Sequence, residues 1–277
     1  MLREAQEHLH QKLVEQSYDN PSNTTLVLLS RILKQPKSYL LAHNEFELTH
    51  QENLSLQAIS NQIMLGTPLP YILGEWEFYG RKLLVSPDVL IPRPETELLV
   101  EKALSRAQNI SHPRIVDVGT GSGAIILSMA SQLPSGFFIG TDISRSALKI
   151  AQENARRFGL SQILFLQANL LNPLHGQFDL ICANLPYIPH HKLSELQVTK
   201  SEPWLALDGG TDGLAFICKL IIQAQSRLAS NSAMLLEIEA SLGNQVLTFA
   251  KNAFPNAECN LYQDLAGYDR LLEIRSP

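Results

Sequence analysis

Apolar residues in the first 75 positions recur at intervals of three and four. The clearest run comprises Leu2, Ala5, Leu9 and Leu13. This spacing places apolar side chains along one face of a helix. Asn20 before Pro21 has the form of a helix N-cap with a first-turn proline, and Thr49 with Glu52 fits a capping box. We therefore predict a helical domain over residues 1–75 that carries no chemistry of its own.

Residues 76–92 have a different pattern, in which aromatic residues and glycines are mixed with alternating apolar and polar positions. Trp76, Phe78 and Tyr79 are the aromatic residues of this stretch. The pattern predicts a short β-hairpin that links two domains. A packed linker without functional contacts is the alternative interpretation.

From residue 93 onwards, short β-rich runs alternate with amphipathic stretches, which is typical of a parallel sheet wrapped by helices. The predicted strands cover residues 114–118, 136–141, 162–167, 178–183 and 233–239, followed by 258–263 and 269–274. A reversed final pair of strands is common in mixed α/β domains. We predict an α/β domain over residues 93–277, built on a seven-stranded, mostly parallel, Rossmann-like sheet.

Composition and charge narrow the possible classes of protein. The 277 residues are 45% hydrophobic and 18% charged, with a net charge of −5, whereas a protein that binds long nucleic acids usually has a basic surface. No apolar run approaches the roughly 20 residues of a transmembrane helix, and the first residues do not resemble a signal peptide. The three cysteines form no CxxC pair and the eight histidines no HExxH pattern, so neither a disulfide framework nor a metal site is indicated. We expect a cytoplasmic protein without metal, membrane contact or a direct nucleic-acid substrate.

A glycine-rich turn follows the first strand of the α/β domain. It consists of Gly119, Thr120, Gly121, Ser122 and Gly123. Glycine permits positive φ and close approach of the backbone, so a ligand can lie against main-chain N–H groups at the start of the next helix. The turn is compatible with both NAD and S-adenosylmethionine, because Ala124 completes a relaxed dinucleotide fingerprint with Gly119 and Gly121.

Four further residues extend this predicted cofactor site. Asp142 ends the second strand, where a carboxylate can bind both ribose hydroxyls of a nucleoside. Asp117 precedes the turn and can pair with the amino group of a methionine moiety, whereas it would repel a pyrophosphate. Asn169 can hydrogen-bond an adenine amino group, and Leu170 can pack on the adenine ring. Together these residues favour S-adenosylmethionine over NAD as the cofactor.

The motif Asn184-Leu185-Pro186-Tyr187 follows the apolar fourth strand. A nitrogen conjugated to a carbonyl or an aromatic ring is a poor nucleophile, because its lone pair is delocalised. The Asn184 side-chain oxygen can accept one of its N–H groups, and a backbone carbonyl of the Leu185-Pro186 turn can accept the other. Tyr187 offers an aromatic face for stacking. The motif predicts methyl transfer to a planar nitrogen, and a plain turn with a core tyrosine is the alternative.

Taken together, these motifs resemble the release-factor glutamine N5-methyltransferases, the HemK/PrmC family, over almost the whole chain. Further matching stretches lie at residues 70–74, 77–80, 90–97, 202–207 and 209–214. The resemblance implies a helical substrate-recognition domain, a hairpin and a seven-stranded catalytic domain. It also implies that S-adenosylmethionine methylates the glutamine of the Gly-Gly-Gln motif in class 1 peptide-chain release factors.

Two departures from the family pattern keep alternatives open. Leu185 stands where the family usually has proline, and Asn169 where it often has aspartate. Asn-Leu-Pro-Tyr also occurs in ribosomal RNA adenine dimethyltransferases, so an N6-adenine methyltransferase acting on RNA or DNA is the main alternative. A dehydrogenase and an inactive interaction module are weaker ones. Arg93 and Glu97 lie within the matching stretch 90–97, and each is compatible with a place near the substrate or with surface capping.

Overall fold

Five helices form the first of two structural units in the computed structural model, which describes residues 1–277. They are α1 (Leu2–Glu15), α2 (Pro21–Leu33), α3 (Lys37–Ala42), α4 (His50–Met64) and α5 (Leu69–Leu73), within the unit Met1–Gly74. Their apolar faces meet in a core that includes Leu9, Leu28 and Ile63. The predicted capping box begins α4, since Glu52 N donates to Thr49 Oγ1 at 3.3 Å and Thr49 N donates to Glu52 Oε2 at 2.7 Å. The helical interpretation of this region is confirmed.

The second unit, Glu75–Pro277, contains a hairpin and a seven-stranded sheet. The hairpin pairs β1 (Glu75–Phe78) with β2 (Arg81–Leu84) in antiparallel register. The sheet strands are β3 (Arg114–Val118), β4 (Phe137–Asp142), β5 (Ile163–Gln167), β6 (Phe178–Asn184), β7 (Leu228–Glu237), β8 (Glu258–Gln263) and β9 (Asp269–Arg275). Their order is β5-β4-β3-β6-β7-β9-β8, and β9 is the one strand that runs opposite to the other six. The predicted fold class is confirmed.

The start of β7 differs from the sequence-based prediction. The strand begins at Leu228, which pairs with Phe178, rather than at residue 233. Its register shifts directly afterwards, and Asn231 has a φ of 55°. The polar residues 230–232 interrupt the apolar pattern here, so periodicity alone identifies only the regular second half of the strand.

Helices cover both faces of the sheet. They are α6 (Thr96–Ala107), α7 (Ala124–Gln132), α8 (Arg145–Arg157), α9 (His190–Leu193), α10 (Ala215–Ala224) and α11 (Gly243–Ala253). Successive strand residues point to opposite faces, so Leu180 packs in the core beneath α6 and α7, whereas Ile181 packs in the core beneath α10 and α11. None of the helices combines the length and hydropathy needed to cross a membrane.

The strand order creates a crevice beside the central strand β3. The chain proceeds from β3 outwards through β4 and β5, and then returns to β6 on the other side of β3. Open α/β sheets bind ligands where the strand order reverses in this way. Val118 of β3 pairs with Ala183 of β6, which places the glycine turn next to Asn184.

Candidate active site

A cleft lies at the carboxyl ends of β3, β4, β5 and β6. The predicted site residues that line it are Gly119, Thr120, Gly121, Ser122, Asp142, Asn169, Leu170, Asn184, Leu185 and Pro186. Residues 119–122 and 184–186 are thereby brought to one cleft from separate parts of the chain. Asp117, Gly123 and Tyr187 are not among the lining residues. The roles predicted for all of the site residues stay predictions.

The glycine turn uses most of its N–H groups within the protein. Gly119 N and Thr120 N both donate to Thr141 O at 2.8 Å, and Gly121 N donates to Asp142 Oδ2 at 2.9 Å. Gly123 N donates to Thr120 O at 2.8 Å. These four N–H groups are therefore already hydrogen-bonded within the protein. What the turn provides is space, because a Cβ added to Gly121 would meet no atom within 4 Å.

Asp142 is held in a fixed orientation at the end of β4. Its Oδ2 accepts from Gly121 N at 2.9 Å and its Oδ1 accepts from Ser144 N at 2.8 Å. Burial raises the pKa of Asp142, and these backbone hydrogen bonds oppose that effect. Each carboxylate oxygen keeps a second acceptor position. This geometry suits recognition of two neighbouring hydroxyls.

Asp117 lies beneath the turn and is fully buried. Its Oδ2 accepts from Thr120 Oγ1 at 2.6 Å, while its Oδ1 has no hydrogen-bond partner. Burial raises the pKa of Asp117 to about 7, and the Thr120 hydroxyl opposes this rise. In this structure Asp117 supports the turn from below.

The buried carboxyl of Asp117 makes folding stability depend on pH. Its folded pKa of about 7 lies above the ordinary value of 3.8 for an aspartate, so its stabilising contribution is present at low pH and lost as the pH rises to 7. Between about pH 5.5 and about pH 8.5, we expect the unfolding free energy of wild type to fall by about 2 kcal/mol more than that of Asp117→Asn. Urea denaturation of both proteins at the two pH values tests this. Identical pH dependence would contradict it.

Asn184 ends β6 with its side chain at the cleft. Its Nδ2 donates to Thr96 Oγ1 at 3.2 Å, and Thr96 is itself buried. With the amide nitrogen held in this way, the carbonyl oxygen of Asn184 is left to accept a hydrogen bond from a ligand. This contact is compatible with the acceptor role that the motif predicts.

Leu185 packs against the glycine turn. The residue is buried, and its Cδ2 lies 3.0 Å from where a Cβ on Gly119 would be. Because Gly119 has a φ of 74° as well as this close neighbour, a larger residue there would be strained and would displace Leu185. Leu185, which stands in place of the usual proline, therefore packs the Asn-Leu-Pro-Tyr motif against the glycine turn.

The loop 207–213 supports the backbone of Pro186 and Tyr187. Gly209 N donates to Ile188 O at 2.8 Å, and Ile188 N donates to Leu207 O at 3.1 Å. A Cβ on Gly209 would lie 2.8 Å from Pro186 O and 2.7 Å from Tyr187 Cα. Only glycine fits here, so the loop determines where the Pro186 carbonyl lies.

Gly209→Ala is expected to lower kcat at least about tenfold, because the added methyl group forces the Pro186 carbonyl to move and misplacement by 1 Å is costly in catalysis. The affinity for the predicted cofactor, S-adenosylmethionine, should change little. Gly159→Ala is the control for backbone strain away from the cleft and should keep the wild-type kcat, since Gly159 has a φ of 69° and a Cβ there would meet no atom within 4 Å. Steady-state kinetics and calorimetry on both variants provide the test, and an unchanged kcat for Gly209→Ala would refute it.

Arg93 and Glu202 connect two walls of the cleft. Arg93 Nη2 donates to Glu202 Oε1, and Ile91 N donates to Glu202 Oε2 at 3.0 Å. Glu202 is buried, and Pro92 and Pro203 next to this pair line the cleft. Glu97 instead accepts a hydrogen bond from Tyr79 N at 2.9 Å, so it holds the hairpin. Of the two residues left open by the sequence, Arg93 belongs to the cleft.

Thr96 and Glu237 are site residues that the sequence-based prediction missed. Glu237 ends β7 in register with Asn184 and is buried. Burial raises its pKa to about 7, although the approaching side chains of Thr96 and Asn184 lower it. The only signal was an acid at the end of an apolar strand, which equally suits an ordinary strand end.

Tyr187 packs partly against the core under α10 and α11. Burial, together with the nearby Glu237 carboxylate, raises the pKa of Tyr187 to about 12. Its hydroxyl is therefore neutral at physiological pH. Its predicted stacking on a planar substrate group would require the ring to reach the cleft wall.

Comparison with known proteins covers both structural units. The model of the PrmC N-terminal domain matches residues 4–74, and that of a methyltransferase domain matches residues 110–259. A release factor glutamine methyltransferase of Coxiella burnetii is 36% identical over 275 residues, which cover 99% of this chain and 98% of that protein. The chain belongs to the release factor glutamine methyltransferase family. Another member, from Moorella thermoacetica, is 38% identical over 272 residues, covering 97% of this chain and 96% of that protein.

Solved structures agree with this family in their fold. A methyltransferase from Pyrococcus furiosus has a TM-score of 0.54 with 18% identity, covering 71% of this chain and 89% of that chain. At this identity the likeness concerns the fold alone.

For a member of this methyltransferase family, the cofactor is S-adenosylmethionine. The cleft residues fit it, since the fixed Asp142 carboxylate suits a ribose and the buried, apolar Leu170 suits an adenine ring.

Proposed function

We propose that this enzyme transfers a methyl group from S-adenosylmethionine to the side-chain amide nitrogen of the glutamine in the Gly-Gly-Gln motif of class 1 peptide-chain release factors. The observation that carries the proposal is the oriented amide of Asn184, whose nitrogen is held by Thr96 beside the cofactor residues of the cleft. An N6-adenine methyltransferase needs a similar acceptor, but the named relatives match this chain over 99% and 97% of its length.

The acceptor groups of the cleft account for activation of the amide. The Asn184 carbonyl oxygen accepts one N–H of the substrate glutamine, and the carbonyl of Leu185 or Pro186 accepts the other. Held in this way, the nitrogen can turn its lone pair towards the methyl group. Bound S-adenosylmethionine supplies that methyl group on an electrophilic sulfonium centre.

Catalysis in this scheme comes from positioning and from fixed acceptors. A general base with a tuned pKa is not required, because the amide nitrogen becomes acidic as the new N–C bond forms. We propose that the cofactor is held in the same cleft by Asp142, residues 119–122, Asn169 and Leu170. Asn169 Oδ1 accepts from Lys219 Nζ at 3.4 Å, which leaves its amide nitrogen and a second acceptor position for an adenine edge.

We further propose that the helical unit, residues 1–74, recognises the release factor and that the reaction takes place in the cytoplasm. The PrmC N-terminal domain match over residues 4–74 supports the first point.

Mass spectrometry of a purified class 1 release factor tests the function directly. After incubation with this enzyme and S-adenosylmethionine, we expect one added methyl group on the Gly-Gly-Gln glutamine. A release factor with that glutamine replaced by alanine should remain unmodified. If radiolabelled methyl groups entered RNA or DNA and not the release factor, the adenine methyltransferase alternative would be correct.

A further inference from the structure

The acceptor role proposed for Asn184 depends on which way round its side-chain amide lies. A primary amide has nearly the same shape after a flip that exchanges its oxygen and nitrogen. In the flipped form, Asn184 would present N–H groups to the substrate amide and would no longer accept its hydrogens. The proposed function therefore requires neighbours that favour one orientation.

Thr96 cannot make this selection by itself. Its hydroxyl lies 3.2 Å from Asn184 Nδ2, but a hydroxyl can both donate and accept. It would hydrogen-bond equally well to the carbonyl oxygen of a flipped amide. A group that only accepts is needed to distinguish the two orientations.

Glu237 is such a group. An ionised carboxylate only accepts hydrogen bonds, and Glu237 lies opposite Asn184 on the neighbouring strand with both Asn184 and Thr96 approaching its carboxylate. The side chain is 4% exposed and its Oε2 has no hydrogen-bond partner. Glu237 does not line the cleft, so it does not touch the substrate itself.

We propose that Glu237 is a positioning residue that attracts the Asn184 amide N–H groups and thereby keeps the Asn184 carbonyl oxygen turned towards the substrate. The proposal rests on the proposed function, because it concerns the acceptor that activates the glutamine amide. A flipped amide at this buried position would place its oxygen against the Glu237 carboxylate, and two acceptors facing each other repel.

The charge of Glu237 makes this positioning dependent on pH. Burial raises its pKa to about 7, Glu95 on the approach to α6 raises it further, and Arg270 of β9 lowers it. The phenol of Tyr187 also faces this region and stays neutral, since its pKa is about 12. Below pH 7 a protonated Glu237 can donate a hydrogen bond, and the preference for one orientation of Asn184 is lost.

The test compares Glu237→Gln with wild type across pH. For wild type, kcat should rise with a midpoint near pH 7, as Glu237 ionises. Glutamine has the same shape but can donate, so kcat of the variant should be about tenfold lower at about pH 8 and should not rise through pH 7. The S-adenosylmethionine dissociation constant should stay unchanged. Glu239→Gln, two residues further along the chain, is the control and should retain the wild-type kcat and pH profile.

Nuclear magnetic resonance gives a readout that does not depend on the identity of the substrate. The Asn184 side-chain NH₂ signals, identified by their absence in Asn184→Ala, should shift with a midpoint near pH 7 in wild type and stay constant in Glu237→Gln. Constant signals in wild type, or a wild-type kcat and pH profile in Glu237→Gln, would overturn the proposal. If wild type titrated as expected but left the release factor unmodified, the proposed function would fail while the orientation of Asn184 by Glu237 stood.

Discussion

Asn184→Ala is expected to lower kcat at least about hundredfold, while the S-adenosylmethionine dissociation constant changes by less than about threefold. Asn184 contributes an oriented acceptor with its nitrogen bonded to Thr96 at 3.2 Å. The acceptor becomes most important as the substrate nitrogen pyramidalises, so its loss raises the barrier more than it weakens ground-state binding. Single-turnover kinetics and isothermal titration calorimetry measure the two quantities separately.

The control for this substitution is Asn252→Ala, which makes the same chemical change at an exposed position of α11. It should leave both quantities at their wild-type values. Comparable losses of cofactor affinity and turnover in Asn184→Ala would mean that the cleft has collapsed, and the assignment of Asn184 as the amide acceptor would lose its support.

Asp142→Ala is expected to weaken S-adenosylmethionine binding at least about thirtyfold. The carboxylate can accept from two ribose hydroxyls, and hydrogen bonds to charged groups contribute about 1.5 to 3 kcal/mol each. The substitution also releases Gly121 N and Ser144 N, which Asp142 now holds at 2.9 Å and 2.8 Å. With saturating cofactor, kcat should recover to within about threefold of wild type, because Asp142 does not touch the substrate amide.

Asp142→Asn provides the graded comparison. Its single carbonyl oxygen can keep one backbone hydrogen bond but not the pair, so its affinity for S-adenosylmethionine should fall between those of wild type and the alanine variant. Calorimetric titration with S-adenosylmethionine measures the affinity of all three proteins and tests this order. Wild-type affinity in Asp142→Ala would place the ribose elsewhere in the cleft.

Most of the fold and the chemical character of the site can be predicted from local sequence patterns. Apolar periodicity and capping residues identified three of the five helices of the first unit, α1, α2 and α4, and periodicity identified the seven strands, because the spacing of buried positions is a local property of the chain. The glycine turn, Asp142 and Asn184 could be assigned to the ends of their strands for the same reason. In a parallel sheet those ends meet at one edge, so their meeting was predictable as well.

Which atoms of these residues remain without a hydrogen-bond partner inside the protein becomes visible only in the folded chain. The N–H groups of Gly119 and Thr120 are taken by Thr141, a residue of the neighbouring strand. No local pattern encodes such a partner, because it depends on the register between strands. The same holds for Glu202, which joins Arg93 across 109 positions of sequence.

The network around Asn184 shows this division most clearly. Thr96 lies 88 positions before Asn184, and Glu237 lies on the next strand in the sheet. Thr96 stands in the matching stretch 90–97 but was assigned no role there, and Glu237 looks like an ordinary strand end. Their chemistry arises from shared burial, which removes water and leaves a hydroxyl, an amide and a carboxylate to orient one another.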